Sequence, residues 1–216
     1  GDYGLSLFGS GGRLAFGVAV GGSGMTICGT RNVADGAWHH VAATRAAGGQ
    51  LQLFVDGQLD ANGMGPAGDA SYADGRATAW PDSDPFLVLG AEKHDAGAAY
   101  PSYRGWLDEL RLSTVRRYSA PFAPPTMPFA SDAQTVGLYH FDEGNGLAVL
   151  DSSGASGGPS HGARGVGGAA NGPQWSTDTP FGSAPPAITL TTLATLGSPP
   201  TVITHAGDSR LFVAEQ

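Results

Sequence analysis

Between Asp35 and Asp60 the chain reads DGAWHHVAATRAAGGQLQLFVDGQLD, two alternating runs around Ala46-Ala47-Gly48-Gly49. In the first run Trp38, His40, Ala42 and Thr44 point one way, and His39, Val41, Ala43 and Arg45 the other. In the second, Leu51, Leu53 and Val55 share a face, and Asp56-Gly57 supplies residues that tolerate positive φ. Period-2 alternation bounded by Gly and Asp-Gly specifies antiparallel strands joined by tight turns.

The rest of the chain follows the same logic. Tyr3–Phe8, Arg13–Val18 and Met25–Thr30 read as strands separated by glycine turns. Ala61–Asp84 lapses into Gly, Pro, Asp and Ser around Tyr72 and Trp80, a long loop of the kind that carries function or covers an edge. Phe86–Leu89 is a short apolar run closed by Gly90, and a second loop with Glu92, Lys93, His94 and Asp95 runs on to Tyr103. In Gly105–Leu112, alternation places Trp106, Asp108, Leu110 and Leu112 on one face, with Leu107, Glu109 and Arg111 on the other. Tyr118–Phe129, rich in proline and aromatics, reads as an extended strap. Val136–Phe141 is the last strong strand, followed by Asp142-Glu143-Gly144-Asn145-Gly146. Ser152–Gly172 has linker composition, yet Trp175 beyond it implies that the chain returns to pack. No segment shows a helical period. Regularly spaced turns favour an all-β antiparallel sandwich.

Composition removes several functions. With 216 residues the chain can bury roughly 70% of its unfolded surface, so a core needs no disulfide. A net charge of -8, with Lys93 as the only lysine, argues against a phosphate-binding surface. The single cysteine, Cys28, excludes an internal disulfide, and its place in a strand predicts a buried, inert thiol. No apolar run reaches membrane-spanning length. Gly1 stands immediately before a strand, so the sandwich is expected to be truncated at its N-terminus, cut from something longer.

The Trp38-His39-His40-Val41-Ala42 run and the Phe54-Val55-Asp56-Gly57 strand end resemble the central hairpin of laminin-G-like domains, concanavalin A-type jelly rolls. Phe86–Gly90, Gly105–Leu112, and Leu138–Gly144 with Asp151–Gly154 resemble further strands of that fold. The resemblance covers residues 1–180, followed by a Pro/Gly linker at 181–187. In many relatives the Phe-Asp-Glu-Gly strand opens the domain, whereas here it comes last. It closes this sandwich or opens a second copy, and the proline linker soon after favours closure. Residues 188–216 are similar to the incomplete start of a second domain, the first propeller blade of quinoprotein glucose/sorbosone dehydrogenases. A propeller needs several four-stranded blades, so this tail does not fold as one by itself.

The chemistry expected from these residues is binding rather than catalysis. Alternation aims the Asp108 carboxylate at apolar surroundings, where it needs a cation or several donors. Jelly-roll glucanases place a calcium ligand on a comparable Asp, with oxygens from a nearby acidic-Gly strand end. The resemblance thus implies a Ca2+ site on Asp108, Glu143 and Gly144, with Asp142 and Asp151 as further candidates. The alternative for Asp108 is a carboxylate capping backbone amides, and for the others a surface turn. His39 and His40 face opposite ways and cannot share a metal; one is expected to pack in the core near Trp38. His94 with Asp95 is a loop pair of interest. Glycosidases need two carboxyls about 5–5.5 Å or about 6.5–9.5 Å apart, and the glucanase Glu-x-Asp-x-x-Glu run is missing here. So are a nucleophile elbow and a zinc-binding His-Glu-x-x-His pair.

Three functions follow. A non-catalytic module would offer Tyr72, Trp80, Tyr100 and Tyr103, with His94 and Asp95, to a glycan or cell-surface protein. A structural spacer would dock a downstream propeller enzyme without a ligand of its own. A hydrolase on the same fold would need the acid pair the sequence lacks. An extracellular or periplasmic setting is expected for any of them, with no nucleic acid partner and no membrane insertion.

Overall fold

The computed structural model describes residues 2–9, 11–72, 75, 77–78, 84, 86–94, 99, 101–165, 172–181, 200–205 and 211–215. Three strands, β1 (Asp2–Phe8), β2 (Arg13–Val20) and β3 (Ser23–Cys28), form an antiparallel sheet in that order. A second sheet is β4 (Val41–Arg45), β5 (Gln50–Val55) and β6 (Gln58–Met64). The two face each other across a core of Leu14, Phe16 and Val18 from β2, Ile27 from β3, and Leu51, Leu53 and Val55 from β5. Leu51, Leu53 and Val55 share one face of β5, as alternation requires.

β5 is buried on both faces. Behind the core face, Phe54 meets the strap: its ring centroid is 5.6 Å from Phe122 and 6.5 Å from Tyr118. Tyr118 and Phe122 stack at 3.6 Å, and His40 sits edge-on among Tyr118, Phe122 and Phe129. Tyr118–Phe129 contains no regular element and closes a second, aromatic layer.

The turn between β5 and β6 positions the strap. Asp56 (φ 50) and Gly57 (φ 72) are both left-handed, the geometry of a two-residue hairpin turn matched to strand twist. The Phe122 amide donates to the Gly57 carbonyl at 2.9 Å. A Cβ on Gly57 would overlap the Phe122 carbonyl oxygen, so only glycine lets the strap dock here.

Beyond the strap, β7 (Leu110–Ser113) pairs antiparallel with β8 (Thr135–Tyr139), where Leu138 is buried. Arg117 ties this pair together, donating to Asp132 at 2.7 and 2.8 Å and to Ser113 at 2.6 Å. A short pair follows, β9 (Ala148–Val149) with β10 (Gly162–Ala163). Trp175 does return: its indole donates to the Gly146 carbonyl at 3.1 Å, with the Arg164 guanidinium 5.3 Å from its ring centre. These elements belong to one unit, Gly1–Gly182. In a second unit, Ser183–Gln216, β11 (Pro200–His205) and β12 (Leu211–Glu215) form an antiparallel hairpin.

Four sequence expectations are corrected. Cys28 is exposed, because Ile27 takes the core-facing position of β3 and its neighbour must point outward. The long loop starts later than Ala61, since Ala61–Met64 pairs with β5 as part of β6. Phe86–Leu89 lies outside any strand, with Phe86, Leu87 and Leu89 exposed. Gly105–Leu112 does not form one alternating strand, and Trp106 is 58% exposed. The strand begins only at Leu110, and Glu109 at φ 54 breaks the extended alternation that would have kept Trp106 on one face with Leu110 and Leu112.

Candidate functional site

Of the expected ligand-binding residues, Trp80, Asp95 and Tyr100 lie outside the described residues. Tyr72 and His94 come together, with ring centroids 6.2 Å apart and near-parallel planes. Lys93 Nζ stands 3.9 Å from the Tyr72 ring centre and 3.3 Å from Asp84 Oδ1, and the Tyr72 hydroxyl donates to that same carboxylate. The His94 ring meets the Ala77 carbonyl at 2.8 Å. Tyr72 and His94 therefore join the two loops to each other.

Tyr103 is placed differently. It is 42% exposed, its amide donates to the Gly90 carbonyl at 2.8 Å, and its hydroxyl donates to the Trp106 carbonyl at 3.3 Å. Those two bonds tie Tyr103 to Gly90, at the end of the exposed Phe86–Leu89 run, and to the backbone of Trp106, which is exposed as well. Gly105 makes room for this, since a Cβ there would collide with the Tyr103 ring. Trp106 was not among the expected ligand-binding residues; alternation had only grouped it on one face with Asp108, Leu110 and Leu112. Alternation alone could not report where the strand starts.

The acidic residues separate into distinct roles. Asp151 is buried and accepts the amides of Leu138 at 3.0 Å, Ser153 at 2.8 Å and Ser160 at 2.9 Å. Burial raises its pKa, but the three amide bonds outweigh this and bring it down to about 2. Glu143 accepts the Leu150 amide at 2.6 Å, while its Oε2 is buried with no hydrogen-bond partner among the described residues. Asp108 is half-buried; burial pushes its carboxyl up, a Thr179 hydrogen bond opposes this, and the charges of Glu109 and Asp142 add to the rise. Asp142 and Gly144 are exposed. Asp108 and Asp142 are thus near enough to repel, whereas Asp151 is engaged elsewhere. Among the described residues, no three His, Cys, Asp or Glu side chains gather as an ion's ligands would. Glu109, a buried carboxylate, instead binds His140 Nδ1 at 2.7 Å and the Phe129 amide at 2.8 Å, anchoring the strap.

The two histidines of the hairpin divide as their opposite faces demand. His40 packs in the aromatic layer with Nδ1 buried and without a hydrogen-bond partner among the described residues, and burial lowers its pKa. His39 lies between two carboxylates, Nδ1 at 2.8 Å from Asp56 Oδ2 and Nε2 at 3.0 Å from Asp35 Oδ1. Asp56 Oδ1 also accepts the His40 amide at 3.0 Å, locking the turn onto the hairpin. Partial burial lowers the His39 pKa, but the Asp56 and Asp35 bonds raise it further than burial lowers it. A raised histidine stabilises the fold fully below its ordinary value of 6.5 and loses that contribution as pH climbs through the folded value. Unfolding free energy is therefore expected to fall as pH rises above 6.5, and His39→Gln should flatten that slope. Urea titrations of both proteins across this window check it; equal slopes would remove His39 as the cause.

A laminin-G family model, described as the concanavalin A-like lectin/glucanases superfamily, matches residues 1–119. That is more than half of the 216 residues, and the chain belongs to this superfamily. Its all-β antiparallel sandwich is the architecture the superfamily requires. No curated protein and no solved structure matches. Among the described residues no helix is long and apolar enough to cross a membrane.

Proposed function

We propose that the Gly1–Gly182 unit is a non-catalytic carbohydrate-binding module whose ligand stacks on Trp106 beside Tyr103. The observation that carries this reading is the exposure of both aromatics on a segment where Tyr103 bonds two backbone carbonyls, by its amide to Gly90 and by its hydroxyl to Trp106. An amphipathic ring that faces water can cover the apolar face of a sugar. A net charge of -8 favours neutral over anionic glycans. The spacer reading draws support from Tyr72 and His94, which are engaged in holding loops together.

On this reading the domain is an extracellular accessory that brings an attached enzyme to a glycan surface, and the tail's likeness to a sugar dehydrogenase names the class of that enzyme. Screening the chain against immobilised neutral glycans, followed by calorimetry on hits, tests the binding. Trp106→Ala should weaken affinity about thirtyfold, the loss of a central aromatic anchor, with unchanged melting. A chain that binds no glycan, or binds equally well without Trp106, removes the proposal.

A further inference from the structure

Three Asn-Gly pairs stand in the sequence: Asn62-Gly63, Asn145-Gly146 and Asn171-Gly172. Such a pair can close on itself, the glycine amide nitrogen attacking the asparagine side-chain carbonyl carbon, because glycine has no Cβ to hinder the approach. Folding decides which pair is free to react. Asn171 lies outside the described residues, and the other two are placed in opposite ways.

Gly63 is held. It stands opposite Leu51, two residues along the β5–β6 register from the point where the Gly65 amide donates to the Gly49 carbonyl at 2.9 Å. Hydrogen-bonded pairs recur at every second residue of an antiparallel ladder, so Leu51 takes the Gly63 amide. The space beside it is filled as well, with Ile27 only 2.7 Å from where a Gly63 Cβ would stand. Asn145 and Gly146 instead lie exposed in the bend before β9. Among the described residues neither the Gly146 amide nor the Asn145 side chain has a hydrogen-bond partner. Nothing lies within 4 Å of a Gly146 Cβ position, which leaves room for a ring and for water.

The carbonyl of that same glycine anchors the returning chain. It accepts the Trp175 indole at 3.1 Å and the Arg164 guanidinium at 3.0 and 3.3 Å. Arg164 also donates to the Pro173 carbonyl. A free nucleophile and an occupied anchor thus share one residue.

We propose that Asn145-Gly146 is a self-modifying site, whose conversion to isoaspartate releases Trp175 and Arg164 from the turn. The Gly146 amide gives its proton to hydroxide, and its nitrogen bonds to the Asn145 side-chain carbonyl carbon. The bond from that carbon to the side-chain nitrogen breaks, and ammonia leaves with a proton from water. Water then opens the imide ring at the Asn145 backbone carbonyl, so that the chain runs on through the former side chain. Nothing is oxidised or reduced. The backbone gains a methylene immediately before Gly146, and a new carboxylate joins Asp142 and Glu143. The insertion moves the Gly146 carbonyl away from its two donors, while the Trp38 indole still holds Asp178 at 3.2 Å. Loss of ammonia makes the change one-way.

Peptide mapping of the chain aged at mildly alkaline pH, with fragmentation that separates isoaspartate from aspartate, should find Asn145 converted and Asn62 intact. The Gly63 amide is freed only by near-global opening, so Asn145 should convert at least about a thousandfold faster. Its rate should rise with pH, because the attacking nitrogen must lose its proton. Trypsin should cut the aged chain after Arg164 about tenfold faster than the fresh chain, the weight of one or two lost hydrogen bonds. Asn145→Gln, aged alike, keeps every other asparagine and should be cut as the fresh parent is. Fresh Asn145→Asp has the charge without the added methylene, and should behave the same way. An Asn145 that stays intact in the folded chain overturns the proposal. So does conversion without faster cutting, or either variant cut as fast as the aged parent.

Discussion

Gly57→Ala is expected to cost about 3–5 kcal/mol, a large part of the roughly 5–15 kcal/mol that keeps an ordinary domain folded. Two effects add. An alanine at φ 72 carries the left-handed penalty of about 1–2 kcal/mol. Its Cβ would also overlap the Phe122 carbonyl oxygen, forcing the strap off the turn. That breaks the bond from the Phe122 amide to the Gly57 carbonyl and loosens the ring stack over Phe54. Gly36 separates the two effects, because it has φ 86 with open space around it. Gly36→Ala should therefore show only the backbone penalty, about 1–2 kcal/mol. Denaturant midpoints at constant slope measure both. Equal losses at the two positions would mean the strap does not depend on this turn.

Phe54→Ala should cost about 3–5 kcal/mol, the range for emptying a large aromatic site. The side chain is fully buried, and its partners Tyr118 and Phe122 belong to a strap with no ladder bonds of its own. The cavity therefore opens beneath a segment that lies outside the sheets. Trypsin should cut at Arg116 or Arg117 well before global unfolding in this variant. Leu53→Ala, on the opposite face of the same strand, should cost about 2–5 kcal/mol without early cutting, because its neighbours are ladder-bonded strands. If both variants are cut alike, the two faces of β5 do not form separable layers.

How much of this was legible beforehand follows from the range of the interactions. The hairpin, the shared face of Leu51, Leu53 and Val55, and the turn at Asp56-Gly57 are written in residues a few positions apart. Period 2 and left-handed tolerance are local properties, so sequence sufficed for them. The strap was legible as extended for the same reason: proline fixes φ and removes a donor.

What tertiary structure decided lies where residues distant in sequence meet. Asp151 was read as a turn or calcium residue, and becomes a buried carboxylate only because Leu138 and Ser160 bring their amides to it. Trp106 was placed on one face with Leu110 and Leu112 by alternation, but the left-handed Glu109 interrupts the strand, and Glu109 is held by His140 and the strap amide of Phe129. Cys28 faces water because the core packs on Ile27, a choice between two faces that the short strand left open. The His39 bridge needs Asp56 folded back across the hairpin, although both residues stand in the motif that specifies the fold. Strand and turn formation here obeyed local sterics. Which face is wet, and which carboxylate is satisfied, depended on long-range partners that alternation cannot name.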